Sequence, residues 1–117
     1  MDTASSMHNL AGVLDAMGRY DEAEPLYRRA LETWEKVVGQ DHPATATSAN
    51  NLADLLREKK EYDEAEALYR RNLDTWGRLL GERHPHTVMT LAELAGLYAD
   101  KGDHATAEPL LQQALQE

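Results

Sequence analysis

The sequence predicts an all-α solenoid, one domain of three antiparallel helix hairpins and six helices, and three observations carry this. The chain repeats itself every 42 residues: Leu10, Leu52 and Leu94 fall on one beat, as do Ala11, Ala53 and Ala95, then Ala23, Ala65 and Ala107, then Leu31, Leu73 and Leu115. Residues 9–50 laid over 51–92 give 20 identities in 42 positions. Within each period the apolar spacing is helical and switches phase once, so a period holds two helices. Gly or Pro punctuates most of the breaks, at Gly18, Gly39, Pro43, Gly81, Pro85 and Gly102. Self-similarity of this length marks an array whose units cannot bury their apolar faces alone and stack to do so.

The first helix is expected over 3–17, with Leu10, Ala11 and Leu14 inward, and ends at Met17-Gly18-Arg19. Gly18 suits the left-handed residue that closes a helix. The second, over 21–38, opens on Asp21-Glu22-Ala23-Glu24, read as an Asp N-cap with Glu three residues on, both acids suiting the helix dipole. Its stripe runs Leu26, Tyr27, Ala30, Leu31, Trp34 and Val37/Val38, and Gly39 stops it. His42-Pro43 restarts the chain, with Pro at a first helical position and His expected to cap.

The third helix, 44–59, places Ala49, Leu52, Ala53 and Leu56 on one face and breaks at Lys59-Lys60-Glu61. The fourth, 63–80, repeats the acidic opening at Asp63 and the stripe Leu68, Tyr69, Leu73, Trp76 and Leu79/Leu80 before Gly81. His84-Pro85 opens the fifth, 86–101, which ends at Lys101-Gly102-Asp103, and the sixth spans 105–116. Two residues look out of place. Asn72 sits where Ala30 and Ala114 stand, and Gly77 lies inside a helix at a cost of up to about 1 kcal/mol relative to Ala.

Composition narrows the function. The 117 residues contain no Cys, which excludes disulfides and thiolate metal sites and fits a reducing, cytoplasmic setting. The N-terminus shows no signal-peptide pattern, and no apolar run is long enough to span a bilayer. A net charge of −9 speaks against nucleic acid and against anionic membrane surfaces. There is no Gly-rich phosphate loop, no HExxH and no nucleophile in a suitable turn, so no enzyme activity and no cofactor are expected. His42, His84 and His86 lack the converging ligands a metal needs. Trp34 and Trp76 are expected between units. Arg28 and Arg70 are expected to pair with Glu24 and Glu66 four residues earlier.

The small residues Ala11, Ala23 and Ala30, with Leu10, Leu14, Tyr20 and Tyr27 around them, resemble the tetratricopeptide repeat (TPR) pattern. The usual period of that repeat is about 34, so each unit here is longer by about two helical turns. The string Asn-Leu-Ala … Tyr-Asp-Glu-Ala-Glu-Pro-Leu-Tyr-Arg-Arg-Ala-Leu … Gly-Gln-Asp-His-Pro resembles the 42-residue variant of kinesin light chains. The resemblance covers residues 3–117, as units of about 3–38, 44–80 and 86–116. It implies a right-handed superhelix whose first helices line a concave peptide-binding groove.

Carried over by position, the groove would comprise His8, Asn9, Gly12 and Asp15 from the first unit. The second gives Asn50, Asn51, Asp54, Arg57 and Glu58, and the third gives Ala92, Glu93, Gly96 and Asp100. These are also the positions left once the buried faces are assigned. Asn9 and Asn51 could pair with the backbone of an extended peptide. A carboxylate clamp is not expected, because His8, Ala92 and Gly96 stand where its basic members belong.

Five acids (Asp15, Asp54, Glu58, Glu93 and Asp100) against Arg57 favour a basic or neutral segment. The expectation is a protein-interaction scaffold, whose groove could equally serve to sense a small signalling peptide. The alternative is a self-associating repeat unit, stacking or dimerising through uncapped Leu110, Leu111 and Leu115. The same faces would suit a piece of a longer array or an engineered unit.

Overall fold

The computed structural model describes residues 3–81 and 83–115. Six helices follow one another: α1 (Thr3–Ala16), α2 (Tyr20–Val38), α3 (Pro43–Glu58), α4 (Tyr62–Leu80), α5 (Pro85–Asp100) and α6 (His104–Leu115). Every described boundary lies within one residue of its expected place; the expected end at residue 116 lies outside the described residues. α1 pairs with α2, α3 with α4 and α5 with α6, while α2 meets α3 and α4 meets α5. The result is a right-handed α-solenoid measuring 41 × 29 × 19 Å.

One local motif, used three times, makes each hairpin turn. The N–H of Arg19 donates to Leu14 O at 2.9 Å and that of Gly18 to Asp15 O at 2.9 Å. Glu61 and Lys60 do the same to Leu56 O and Arg57 O, and Asp103 and Gly102 to Tyr98 O and Ala99 O. This is the paired closure that requires a left-handed residue. Gly18 (φ +78°) and Gly102 (φ +85°) supply it freely, but Lys60 (φ +66°) carries a side chain in the same conformation.

The closure corrects one expectation. Asp21 and Asp63 are not N-caps: α2 and α4 start one residue earlier, with Arg19 and Glu61 at the cap position and no side-chain cap bond. The residue that ends the turn also accepts the first helical bonds, from Glu22 and Ala23 to Arg19 O, which leaves no room for a separate cap. Only at the third turn does a side chain serve, where Asp103 Oδ1 accepts from the Thr106 N–H at 3.1 Å.

The longer loops between units repeat a second motif. His42 Nδ1 accepts the Ala44 N–H at 3.0 Å, and the Thr45 hydroxyl donates to Gly39 O at 2.6 Å. His84 accepts from His86 at 3.1 Å and Thr87 donates to Gly81 O at 2.8 Å. Both histidines thus cap the following helix, and the threonines staple helix start to helix end.

Stacking builds the core. Leu52 is 2% exposed, whereas Leu10, on the same beat at the first unit's open face, is 52% exposed and Leu115 at the other end is 81% exposed. Cross-unit ion pairs fix the register: Lys59 to Glu24 at 2.5 Å, Lys101 to Glu66 at 3.2 Å and Arg28 to Glu64 at 2.6 Å. Arg28 and Arg70 also hold Glu24 and Glu66 on their own helices, as expected. Asn72, 1% exposed, donates from Nδ2 to Ala46 O at 2.7 Å, so its amide ties α4 to α3.

The two junctions are not equivalent. At the first, Arg71 and Glu35 pair at 2.9 Å. Their counterparts 42 residues on, Gln113 and Gly77, cannot, and a hollow of about 460 Å³ opens beside Leu73, Thr87 and Leu91. A Cβ on Gly77 would meet nothing within 4 Å. Gly77→Ala is therefore expected to raise stability by about 0.5–1 kcal/mol, and Lys60→Gly to raise it by a similar amount by relieving the left-handed side chain. Urea unfolding midpoints check both, and a fall in either midpoint contradicts the assignment.

Candidate functional site

The inner positions of α1, α3 and α5 come to one face, and the acids gather at one end of it. Asp15, Asp54, Glu58 and Asp100, with Arg57 and Tyr20, line a hollow of about 510 Å³. Arg57 Nε donates to Asp100 Oδ2 at 2.6 Å, so the single cation is already engaged. Gly96 lets Arg57 lie flat: a Cβ there would stand 2.8 Å from Arg57 Nη2. At Gly12 the nearest such neighbour is the Tyr27 hydroxyl, at 3.9 Å.

Tyrosines from the second helices hold the acids in place. Tyr27 donates to Asp15 Oδ2 at 3.2 Å, and the buried Tyr69 hydroxyl donates to Asp54 Oδ1. Burial, with Asp15 beside it, raises the Tyr27 phenol to about 12, and burial with Asp54 beside it raises Tyr69 as well. Asp54 is itself pushed above the usual carboxylate range by burial, against the Tyr69 bond and Arg57 that favour its charge. Both hydroxyls therefore stay protonated and donate to carboxylates. By sequence pattern these tyrosines belong to the apolar stripe alone. Asp15 and Asp54 lie one helical turn apart in the repeat frame, so no comparison of equivalent positions pairs them with the tyrosines.

Further along the face, Asn50 Nδ2 stands 3.5 Å from Asp54 Oδ2, and Glu93 lies close to both. Burial, reinforced by the Asp54 charge, raises Glu93 to about 7. Asn50 Oδ1 and Glu93 Oε1 are buried without a partner among the described residues. His8 Nε2 and Asn51 Nδ2 are 3.3 Å apart, and the His8 ring stands edge-on to Tyr27. Asn9 and Glu58 are exposed and Ala92 is half-buried. The face thus unites Asp15, Asp54, Arg57, Glu58 and Asp100, groups Asn50 with Glu93, couples Asn51 to His8, and leaves Asn9 apart. Among the described residues no set of His and acids could hold a metal ion, and no helix is long and apolar enough to cross a membrane.

The tetratricopeptide repeat model matches residues 2–71 and again 49–116. The chain belongs to the tetratricopeptide repeat family. Repeats of this family are non-catalytic scaffolds that mediate protein–protein interaction. Among solved structures, this TPR chain is similar to BtubC (BKLC) from P. vanneervenii, with a TM-score of 0.90 and 28% identity over 96% of this chain and 44% of that one. It is also similar to a putative kinesin light chain from Podosopora anserina with nearly identical TPR-like repeats, at a TM-score of 0.86 and 26% identity over 98% of this chain and 56% of that one. A Q17M form of that protein gives the same figures. The TPR array here thus spans about half the length of these relatives. No curated protein matches it.

Glu93 gives the site a pH signature. Folded, its carboxyl keeps the proton up to about pH 7, while the unfolded chain releases it near the ordinary 4.5. The folded state therefore binds more protons in that window, and this group's contribution to stability falls as pH rises from 4.5 to 7. Glu93→Gln is expected to stabilise the protein by about 1–2 kcal/mol at pH 8 and to change little at pH 4. Denaturant midpoints at the two pH values decide; an equal difference at both contradicts the burial assigned to Glu93.

Proposed function

We propose that the face shared by α1, α3 and α5 is a groove that holds a basic or neutral segment of a partner protein. The hollow lined by Asp15, Asp54, Glu58 and Asp100 carries this reading, because its one cation, Arg57, is tied to Asp100. A basic side chain entering there meets carboxylates already fixed by tyrosines and loses little order on binding. An acidic segment meets repulsion instead. Asn51 beside His8, and Asn9 at the separate hollow beside Trp34, would supply donors and acceptors to a peptide backbone whatever its sequence. The absence of Cys supports a reducing compartment such as the cytoplasm.

Calorimetry with an Arg/Lys-rich peptide and its Glu-substituted counterpart tests the charge preference. The basic peptide is expected to bind, more weakly at high salt, and the acidic one not to bind. Asn9→Ala with Asn51→Ala is expected to weaken binding while moving Tm by no more than about a few degrees. Equal binding of both peptides, or unchanged affinity in the double variant, contradicts the groove assignment.

A second reading rests on the open ends. Leu10 and Val13 on α1, and Leu111 and Leu115 on α6, are exposed at positions that stacking buries elsewhere in the array. Through these faces copies of the chain would associate head to tail. Light scattering over a hundredfold concentration range is then expected to show growing mass, abolished by Leu111→Glu with Leu115→Glu. A wild-type chain that stays monomeric throughout refutes it.

A further inference from the structure

The two inter-unit junctions are each built around a tryptophan at the same place in the repeat, Trp34 and Trp76, and they treat it differently. At the second junction the His86 imidazole lies on the Trp76 indole, with ring centroids 4.8 Å apart and planes inclined by 20°. His84 stacks in turn on His86 at 5.2 Å, and Trp76 is left 6% exposed. Thr90, one turn on, donates its hydroxyl to His86 O at 2.9 Å. That site is closed by the chain's own side chains.

At the first junction the same places, 42 residues earlier, hold Trp34, Ala44 and Ser48. Ala44 has no ring to lay on the indole. Trp34 stays partly exposed, and a hollow of about 290 Å³ opens between it, Pro43, Ala44, Ser48, His8 and Asn9. Ser48 is 1% exposed, and its hydroxyl has no partner among the described residues. The hollow thus joins the apolar surfaces of Trp34, Pro43 and Ala44 to polar groups including Thr47, and an unsatisfied buried hydroxyl at its wall is costly until a polar atom meets it.

We propose that this hollow is a pocket for one aromatic side chain with a polar ring atom, such as tyrosine, histidine or tryptophan, carried by the partner segment. Its volume sits at the lower limit of ligand pockets, which suits a single side chain better than a whole metabolite. The stacked His86 at the second junction shows which shape and chemistry the frame accepts. An indole face and a proline ring favour an offset-stacked aromatic, and Ser48 can exchange a hydrogen bond with its polar atom. Asn9 and His8, on the rim, connect the pocket to the α1–α3–α5 face. For the remainder of the segment the inference rests on the groove reading above; for the ring it does not.

The test follows the two indole Nε1–H signals by NMR while the protein is titrated with a basic peptide containing one Tyr, with its Tyr→Ala counterpart, and with N-acetyltyrosinamide. The Tyr peptide is expected to bind about three- to tenfold more tightly than the Ala peptide and to move the Trp34 signal, leaving Trp76 still. Ala44→His, which copies the second junction, is expected to remove that preference and leave affinity for the Ala peptide unchanged. Trp34→Leu is expected to lose the preference too. Equal affinity of the two peptides, or a Tyr preference that survives Ala44→His, overturns the pocket. If neither peptide binds but N-acetyltyrosinamide still moves Trp34, the pocket stands and the groove reading falls. If the small probe leaves Trp34 unmoved as well, the pocket falls with it.

Discussion

Everything in this molecule depends on one packing event, the seating of a unit's first helix against the preceding hairpin. It takes Leu52 from the half-exposed condition of Leu10 to near-complete burial, and burial of a leucine contributes about 1.5–3 kcal/mol. No single hairpin could supply that alone. The part-buried Lys59–Glu24 pair and the more exposed Lys101–Glu66 and Arg28–Glu64 pairs set the register between units, and the exposed ones add little energy each. That register brings Asp15 of α1, Asp54 of α3 and Asp100 of α5 to one hollow.

Repetition supplies the frame and departures from repetition supply the sites. Where the first junction has Arg71 and Glu35, the second has Gln113 and Gly77 and is hollow on that side. Where the second has His86 over Trp76, the first has Ala44 and is hollow there. Each junction is filled in one place and open in another. The acidic hollow is likewise unrepeated, because Arg57 occurs once at its place in the period, where the other units have Asp15 and Ala99.

The six helices were legible almost to the residue, because a 42-residue beat marks the same turn three times and Gly and Pro punctuate it. The histidine caps and the Arg–Glu pairs were legible for the same reason: they are local, two to four residues apart. The side-chain caps expected at Asp21 and Asp63 failed on a backbone detail, the sharing of one residue between two helices. Asn72 made sense only once Ala46 O stood beside it, 26 positions back along the chain. The Tyr27–Asp15 and Tyr69–Asp54 bonds were hidden because each joins two helices whose facing sides no periodicity specifies.

If stability resides in the junctions rather than in the hairpins, protection from exchange should follow the number of neighbours each helix has. Native-state amide hydrogen exchange reads this directly. α3 and α4, which have a unit on either side, are expected to exchange last, and α1 and α6 to exchange first. Equal protection along all six helices, or slowest exchange at an end, would contradict it.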